Sequence, residues 1–173
     1  MLRTHNNCAR RACYDRVRMH LTLVRHGDAG QNYNALGDAG RCLTPRGRTQ
    51  ALATGAALRE RGVVLTHAWT SPLVRAVQTA ELILSQLEFP GPVEAQPFLY
   101  PDSEPGPLLA ALGELDAKAN VLAVGHMPYM ASTAGQLLGL AVSGFHTAEA
   151  FHMRFGGEPR LRGAELSWRF TGR

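Results

Sequence analysis

An Arg-His-Gly triplet lies at the end of the first predicted strand. Arg25, His26 and Gly27 directly follow the apolar run of residues 21–24, which has the composition of a buried β-strand. A guanidinium group binds a tetrahedral dianion through paired N–H donors. A glycine lets the backbone approach a ligand closely. The triplet therefore predicts an anion-binding group and an imidazole side by side at a strand end.

A second arginine and a second histidine follow two further predicted strands. Arg75 lies in the first turn of the helix predicted after residues 67–70, and His126 follows residues 121–124, just ahead of another predicted helix. In open α/β sheets, ligands bind beyond the carboxyl ends of the strands. We therefore expect both arginines and both histidines to meet at one edge of the sheet, where helix N-termini add positive dipole ends.

This set of side chains is suited to phosphoryl transfer, which depends mainly on positioning and electrostatics. The sequence shows no Ser-His-Asp set and no suitably placed cysteine, so His26 is the candidate nucleophile. Neighbouring positive charges favour the neutral imidazole that attack requires, and a backbone carbonyl bonded to the other ring nitrogen would fix the tautomer. Attack would leave a phosphohistidine on His26, which water then hydrolyses. His126 is expected to become imidazolium when the phosphoryl group arrives.

Predicted strands and helices alternate along the chain, which indicates an α/β layer fold with a mainly parallel sheet. Thr44 as N-cap and Pro45 at the first helical position begin a helix that ends near Arg61, before Gly62. The other predicted elements are a helix after residues 71–72, a short strand near residue 93, helices over residues 108–119 and about 128–138, and strands over residues 150–155 and 165–170.

Length and composition fit a single globular domain. The chain has 173 residues, of which 45% are hydrophobic and 18% charged. No apolar run approaches the roughly 20 residues that span a bilayer, so no membrane partner is expected. Three cysteines without C-x-x-C spacing favour a reducing compartment, with cytoplasmic location, and disfavour a zinc site.

The net charge of +4 comes from one end of the chain. Residues 1–18 carry five arginines and one aspartate, which leaves 13 basic and 13 acidic residues in 19–173. A neutral body argues against a nucleic-acid partner. We expect residues 1–18 to be a disordered basic extension, arising from a start upstream of Met19; their composition also resembles a transit peptide. Residues 19–173 are expected to form one domain.

Four blocks in this order resemble the histidine phosphatase superfamily, which also includes cofactor-dependent phosphoglycerate mutases and phytases. The blocks are residues 23–28, 43–51, 71–80 and 124–126, and the resemblance covers about residues 20–170. It implies a three-layer sandwich with a mainly parallel central sheet flanked by helices, and a phosphatase that needs no metal or cofactor. It further implies that His26 accepts the phosphoryl group, that Arg25 and Arg75 bind it, with Gly27 beside them, and that His126 completes the pocket.

Within that superfamily the chain resembles the small phosphohistidine phosphatases of the SixA type. The first block ends in Asp28 where mutases commonly have glutamate, the body from Met19 has only 155 residues, and the span between Arg75 and His126 is short. This resemblance implies a phosphohistidine-containing protein as the substrate.

A general acid for the leaving group is not evident from any motif. Asp102 and Glu104, in the loop after residues 99–101, and Asp28, two residues from His26, are candidates. An alkoxide leaving group needs a proton in the transition state, whereas an imidazole has a pKa near 6.5 and leaves more easily. The lack of a dedicated acid therefore favours protein phosphohistidine as substrate.

Two alternatives remain open from the sequence. One is a phosphatase of small phosphorylated metabolites, which would need a defined pocket wall and an identifiable acid. The other is a non-catalytic phosphate-binding module on the same fold, since fold alone does not secure function. Retention of all four pocket residues argues against the second alternative.

Overall fold

Six strands form one sheet, and four α-helices pack against its two faces. The computed structural model describes residues 18–31 and 37–172, so the predicted extension lies outside the described residues except for Arg18. The strands are β1 Met19–Arg25, β2 His67–Thr70, β3 Val93–Ala95, β4 Asn120–Gly125, β5 Ala150–Phe155 and β6 Ala164–Phe170. The helices are α1 Pro45–Glu60, α2 Val74–Leu87, α3 Pro105–Gly113 and α4 Tyr129–Leu138, with 3₁₀ turns at Asp38–Gly40 and Pro97–Leu99.

The strand order is β3-β2-β4-β1-β5-β6. The pairs β3/β2, β2/β4 and β4/β1 are parallel, and β1/β5 and β5/β6 are antiparallel. The predicted α/β fold with a mainly parallel sheet between helices is confirmed. The C-terminal strands, as predicted, complete the sheet at one edge.

Strand β1 lies at the centre of the sheet and is buried on both faces, as the largely apolar run of residues 21–24 predicts. Leu21 and Leu23 belong to the core on the α3/α4 side, whereas Val24 belongs to the core on the α1/α2 side. All three side chains are fully buried. Packing on both faces fixes the end of β1, and with it the position of the triplet that follows.

Helix α1 begins as its sequence predicts. Thr44 Oγ1 accepts a hydrogen bond from the backbone N–H of Gly47 over 3.0 Å, and Pro45 takes the first helical position. An N-cap of this type contributes about 1 kcal/mol to stability. The cap places the N-terminus of α1 beside the loop that follows β1, because Thr44 N–H also donates to the backbone oxygen of Asp28 over 3.0 Å.

The helix predicted over residues 108–119 was placed wrongly. Helix α3 runs from Pro105 to Gly113, three residues earlier at its start and six at its end. Proline is tolerated in the first helical turn, where its missing N–H is not needed. Beyond Gly113, the chain turns before β4 through a bond from Ala119 N–H to the backbone oxygen of Asp116 over 2.8 Å.

No helix in residues 18–31 and 37–172 has the length and apolar character needed to cross a membrane.

Candidate active site

The two predicted histidines lie side by side because their strands are neighbours. Strands β1 and β4 pair in parallel with Arg25 opposite Gly125. His26 N–H then donates to the backbone oxygen of Gly125 over 2.9 Å. The ring centroids of His26 and His126 are 5.0 Å apart. The strand register thus brings residues 100 positions apart in the chain into one pocket.

The tautomer of His26 follows from a single backbone contact. His26 Nδ1 lies 2.7 Å from the carbonyl oxygen of Gly27. A carbonyl oxygen only accepts hydrogen bonds, so Nδ1 carries the proton and Nε2 keeps its lone pair. The pKa of His26 is lowered to about 4, mainly by burial and also by Arg75 and Arg25, although the bond to Gly27 acts in the opposite direction. The ring is therefore neutral at pH 7, with Nε2 available as a nucleophile.

His126 is also neutral in the free protein. Its side chain is almost fully buried. Its pKa is lowered to about 3, mainly by burial and also by His26 and Arg75, while Asp38 acts in the opposite direction. A bound phosphoryl dianion would stabilise the imidazolium and raise this pKa.

Four buried nitrogen atoms of the residues predicted for the active site have no hydrogen-bond partner among the described residues. They are Nε of Arg25, Nε of Arg75, and Nδ1 and Nε2 of His126. Buried polar groups are nearly always hydrogen-bonded, so each of these atoms needs a partner that the described residues do not supply. Two guanidinium N–H groups and an imidazole beside a neutral His26 are suited to a tetrahedral oxyanion.

The two arginines are hydrogen-bonded through nitrogen atoms other than these four. Arg25 donates from a terminal nitrogen to the backbone oxygen of Phe145 over 2.8 Å. Arg75 donates from its two terminal nitrogens to Asp38, to the backbone oxygen over 2.9 Å and to Oδ2 over 3.1 Å. Hydrogen bonds from terminal nitrogens therefore hold each guanidinium in place. The Nε–H of each group has no partner among the described residues.

The loop of His26 is fixed to α2 through one hydroxyl group. Gly27 N–H donates to Thr79 Oγ1 over 3.0 Å, and the same hydroxyl donates to the backbone oxygen of Arg75 over 2.7 Å. Thr79 is fully buried. One side chain thus connects the nucleophile loop to the helix turn that carries the second arginine.

The same loop packs directly on the first turn of α1. A Cβ built on Gly27 would lie 2.6 Å from the backbone oxygen of Gly47, and one built on Gly47 would lie 1.9 Å from the backbone oxygen of Asp28. No side chain fits either position. Glycine at both sites allows the backbone approach that brings the helix against the loop.

None of the three candidate acids bonds to the histidines or arginines of the pocket. Asp28 Oδ2 accepts from Thr44 Oγ1 over 2.6 Å, so this carboxylate helps to anchor α1. Asp102 and Glu104 are exposed. Glu104 adds to the raised pKa of Tyr129, about 12, which burial mainly causes. In the described part of the chain, no group of three His, Cys, Asp or Glu residues could hold a metal ion.

Two charged residues at the pocket were missed by the sequence analysis. Asp38 accepts from Arg75, as described, and its Oδ1 accepts from a terminal nitrogen of Arg41 over 2.9 Å. Arg41 also donates from Nε to the backbone oxygen of Gly30 over 2.8 Å, and its charge contributes to lowering the pKa of His26. Opposite charges three positions apart in a polar loop were the only available signal.

Known proteins resemble this chain in part of its sequence and in its fold. The family model for the histidine phosphatase superfamily (branch 1) matches residues 21–99. A 2,3-bisphosphoglycerate-dependent phosphoglycerate mutase of Bartonella henselae is 44% identical over 72 residues, which are 39% of this chain and 34% of the mutase. The match thus spans about a third of that relative's length. An uncharacterized protein of Picosynechococcus sp. is 35% identical over 112 residues, 64% of this chain and 67% of that protein.

The fold comparison covers nearly the whole chain. The structure of the protein histidine phosphatase SixA complexed with tungstate superposes with a TM-score of 0.78 and 26% identity, covering 89% of this chain and 97% of SixA. Over residues 21–99 the chain is therefore similar to the histidine phosphatase superfamily, and its fold is that of the SixA proteins.

Proposed function

We propose that this chain is a phosphatase that passes a phosphoryl group from its substrate to His26 and then to water. The observation that carries the proposal is the set of four buried nitrogen atoms of Arg25, Arg75 and His126 that have no partner among the described residues and lie beside a neutral His26. These donors match the oxygens of a phosphoryl group, and Nε2 of His26 supplies the electron pair.

In the first step, Nε2 of His26 forms a bond to phosphorus as the bond to the leaving group breaks. The leaving group takes the bonding electrons, and a phosphorylated imidazole whose other ring nitrogen already carries a proton leaves as neutral imidazole. Arg25 and Arg75 stabilise the charge on the phosphoryl oxygens, and His126 binds the same group as imidazolium. The carbonyl of Gly27 stabilises the positive charge that develops on the His26 ring through its bond to Nδ1.

In the second step, a water oxygen forms a bond to phosphorus as the bond to Nε2 breaks. The electrons of that bond return to Nε2, so His26 is again neutral with its proton on Nδ1. The water loses a proton to the solvent, and inorganic phosphate leaves the pocket. Two displacements on one phosphorus atom thus replace one difficult hydrolysis.

The substrate class that we propose is protein phosphohistidine. Asp102 and Glu104 are exposed and make no bond to the pocket residues, so neither is positioned as a general acid in the free protein. An imidazole tolerates this because its pKa near 6.5 lets the leaving nitrogen carry a proton. Between α2 and β4 the described chain forms only β3, a 3₁₀ turn and the nine-residue α3, which favours access by a protein surface. Similarity to the protein histidine phosphatase SixA supports the same substrate class.

Hydrolysis of small phosphate esters is the second candidate function. The charge of Glu104 acts on Tyr129, three residues after His126, so this carboxylate lies near the helix that follows His126. If it reaches the leaving group in a complex with substrate, ester turnover depends on it.

The experiment compares phosphate release from a phosphohistidine-bearing protein domain and from a panel of small phosphate esters, in the presence of a chelator. The wild-type chain is measured beside His26→Ala and beside His67→Ala. His67 is the matched control, because it begins β2 at the opposite end of the sheet from the pocket.

The proposal predicts activity that survives the chelator, disappears in His26→Ala, persists in His67→Ala and strongly prefers phosphohistidine. Efficient ester turnover with little action on phosphohistidine would favour the second candidate. No turnover of either substrate class, with phosphate still bound by wild type and His26→Ala alike, would indicate a phosphate-binding module instead of an enzyme.

A further inference from the structure

One carboxylate lies between two guanidinium groups at the proposed phosphoryl site. Both terminal nitrogens of Arg75 donate to Asp38, one to its backbone oxygen and one to Oδ2. Arg41 donates to Oδ1 of the same carboxylate. Asp38 therefore holds Arg75 by two hydrogen bonds and connects it to Arg41 by a third.

These contacts engage the two terminal nitrogens of the Arg75 guanidinium and do not involve its Nε–H. A guanidinium group has five N–H donors in a fixed planar arrangement. Asp38 takes one donor from each terminal nitrogen, whereas the Nε of Arg75 is buried and unpartnered among the described residues. Because the side chain is only 5% exposed, water has little access to that nitrogen. The contacts with Asp38 orient the guanidinium and keep its Nε–H unpaired.

We propose that Asp38 is a positioning residue, which fixes Arg75 by its terminal nitrogens so that the Nε–H meets an oxygen of the phosphoryl group. The inference rests on the proposed function, because it assigns Arg75 to the phosphoryl group. It goes beyond that function in giving a role to a residue outside the four pocket side chains.

The charge state of Asp38 is compatible with positioning Arg75 and excludes a role as the general acid. The hydrogen bond from Arg41 mainly holds the pKa of Asp38 below its ordinary value, and Arg75 acts in the same direction. The group is therefore a carboxylate at neutral pH, the form that accepts from both arginines. A carboxylate has no proton to give to a leaving group, so Asp38 is not the missing general acid.

A competing interpretation is that Asp38 occupies the place of the substrate on Arg75. Its negative charge acts on His126, so it lies near enough to repel a dianion. The two interpretations predict opposite effects of removing the carboxylate. Positioning predicts weaker phosphate binding, and competition predicts tighter binding. The unpaired Nε–H of Arg75 favours positioning, because the bonds to Asp38 do not use the donor left for the phosphoryl group.

Binding of inorganic phosphate, measured by calorimetry, distinguishes positioning from competition without relying on turnover. The variants are Asp38→Ala, Asp38→Asn, Arg75→Ala and the double variant Asp38→Ala/Arg75→Ala. Glu81→Ala on the exposed face of α2 is the control, because it removes the same charge away from the pocket. Thermal unfolding of each variant shows whether it is folded.

Positioning predicts that Asp38→Ala weakens phosphate binding about tenfold or more, since small misplacements of a binding group are costly. Asp38→Asn keeps a side-chain oxygen for Arg75 and is expected to weaken binding less. In the Arg75→Ala background, removing Asp38 is expected to leave phosphate binding unweakened, and Glu81→Ala is expected to bind as wild type does.

Equal or tighter binding by Asp38→Ala and Asp38→Asn would overturn the inference in favour of competition. The same loss with and without Arg75 would also overturn it, because Asp38 would then act independently of that arginine. Failure of the proposed function has a different signature: the wild-type chain binds no phosphate, which overturns both, or His26→Ala retains turnover while the Asp38 results stand.

Discussion

The imidazole rings of His26 and His126 are inclined by 54° with their centroids 5.0 Å apart. This relationship is set by the sheet, since β1 and β4 pair in parallel and each histidine follows its strand directly. The two rings differ in their contacts. Nδ1 of His26 is bonded to Gly27, whereas both nitrogens of His126 are buried without a partner among the described residues. The difference fixes the tautomer of His26, the proposed nucleophile, and leaves His126 available for the phosphoryl oxygen that we propose it binds.

Both histidines are expected to remain neutral well below the pH at which an ordinary imidazole becomes charged. Burial lowers the pKa of His26 to about 4 and that of His126 to about 3, against about 6.5 for an unperturbed imidazole. Lowering the pH from 8 to 5 should therefore leave both rings unprotonated, and protonation should begin only as the pH approaches the lowered values. Titration of the assigned ring-proton resonances by NMR checks this expectation.

Phosphate should shift one of these titrations upward. A dianion beside His126 stabilises its imidazolium, so saturating inorganic phosphate is expected to raise the pKa of His126. A pKa of His26 near 6.5 in the free protein, or a His126 titration that ignores phosphate, would contradict the assigned roles.

Thr79→Val is expected to impair both stability and turnover. The substitution keeps the shape of the side chain but removes the hydroxyl that accepts from Gly27 N–H and donates to the backbone of Arg75. Leaving a buried N–H unpaired costs about 1–3 kcal/mol of unfolding free energy. Denaturant unfolding and kcat are the measurements, and Thr79→Ser, which keeps the hydroxyl, is the control. Wild-type stability and kcat in the valine variant would show that this hydroxyl does not hold the nucleophile loop.

Gly47→Ala is expected to destabilise the chain and reduce turnover, whereas Gly106→Ala is not. Both glycines lie in the first turn of a helix that begins with proline. A Cβ at Gly47 would lie 1.9 Å from the backbone oxygen of Asp28, but a Cβ at Gly106 would meet nothing within 4 Å. Overpacking of this kind costs about 1–3 kcal/mol. Unfolding free energies and kcat/KM of the pair test the contact, and similar behaviour of both variants would refute it.

The loop acids are expected to be dispensable for phosphohistidine. Asp102→Asn and Glu104→Gln should each change kcat on a phosphohistidine-bearing domain by less than about twofold, because a working general acid contributes about 10²–10⁴-fold. Steady-state kinetics on that domain and on a phosphate ester make the comparison. A loss of 100-fold on phosphohistidine in either variant would mean that the leaving imidazole does require an acid from this loop.

Much of the fold and the meeting of the four pocket side chains could be predicted from local patterns. Strand β1 is buried on both faces and therefore appears in the sequence as a largely apolar run. The dipeptide Thr44-Pro45 contains the start signal of α1. Once the sheet was taken as parallel, the strand ends had to meet at one edge. The boundaries of α3 were predicted wrongly, because Pro105 lies in its first turn and the apolar residues beyond Gly113 belong to a turn.

The residues that hold the pocket together could not be predicted in this way. Asp38 lies 37 positions from Arg75, and Thr79 lies 52 positions from Gly27. Each pair meets only because helices and loops pack at the sheet edge. A polar loop and a helical threonine are ordinary features of a sequence, so local composition gives no sign that these two residues contact the predicted site.

The most direct test of the central claim is to identify the residue that carries the phosphoryl group during turnover. The chain is mixed with a phosphohistidine-bearing domain, quenched in alkali to preserve phosphohistidine, digested and analysed by mass spectrometry, with His26→Ala treated in parallel. The account predicts a phosphoryl group on Nε2 of His26 in the wild-type chain and none in the variant, which should also release no phosphate. A phosphoryl group on another residue, or full phosphate release by His26→Ala, would contradict it.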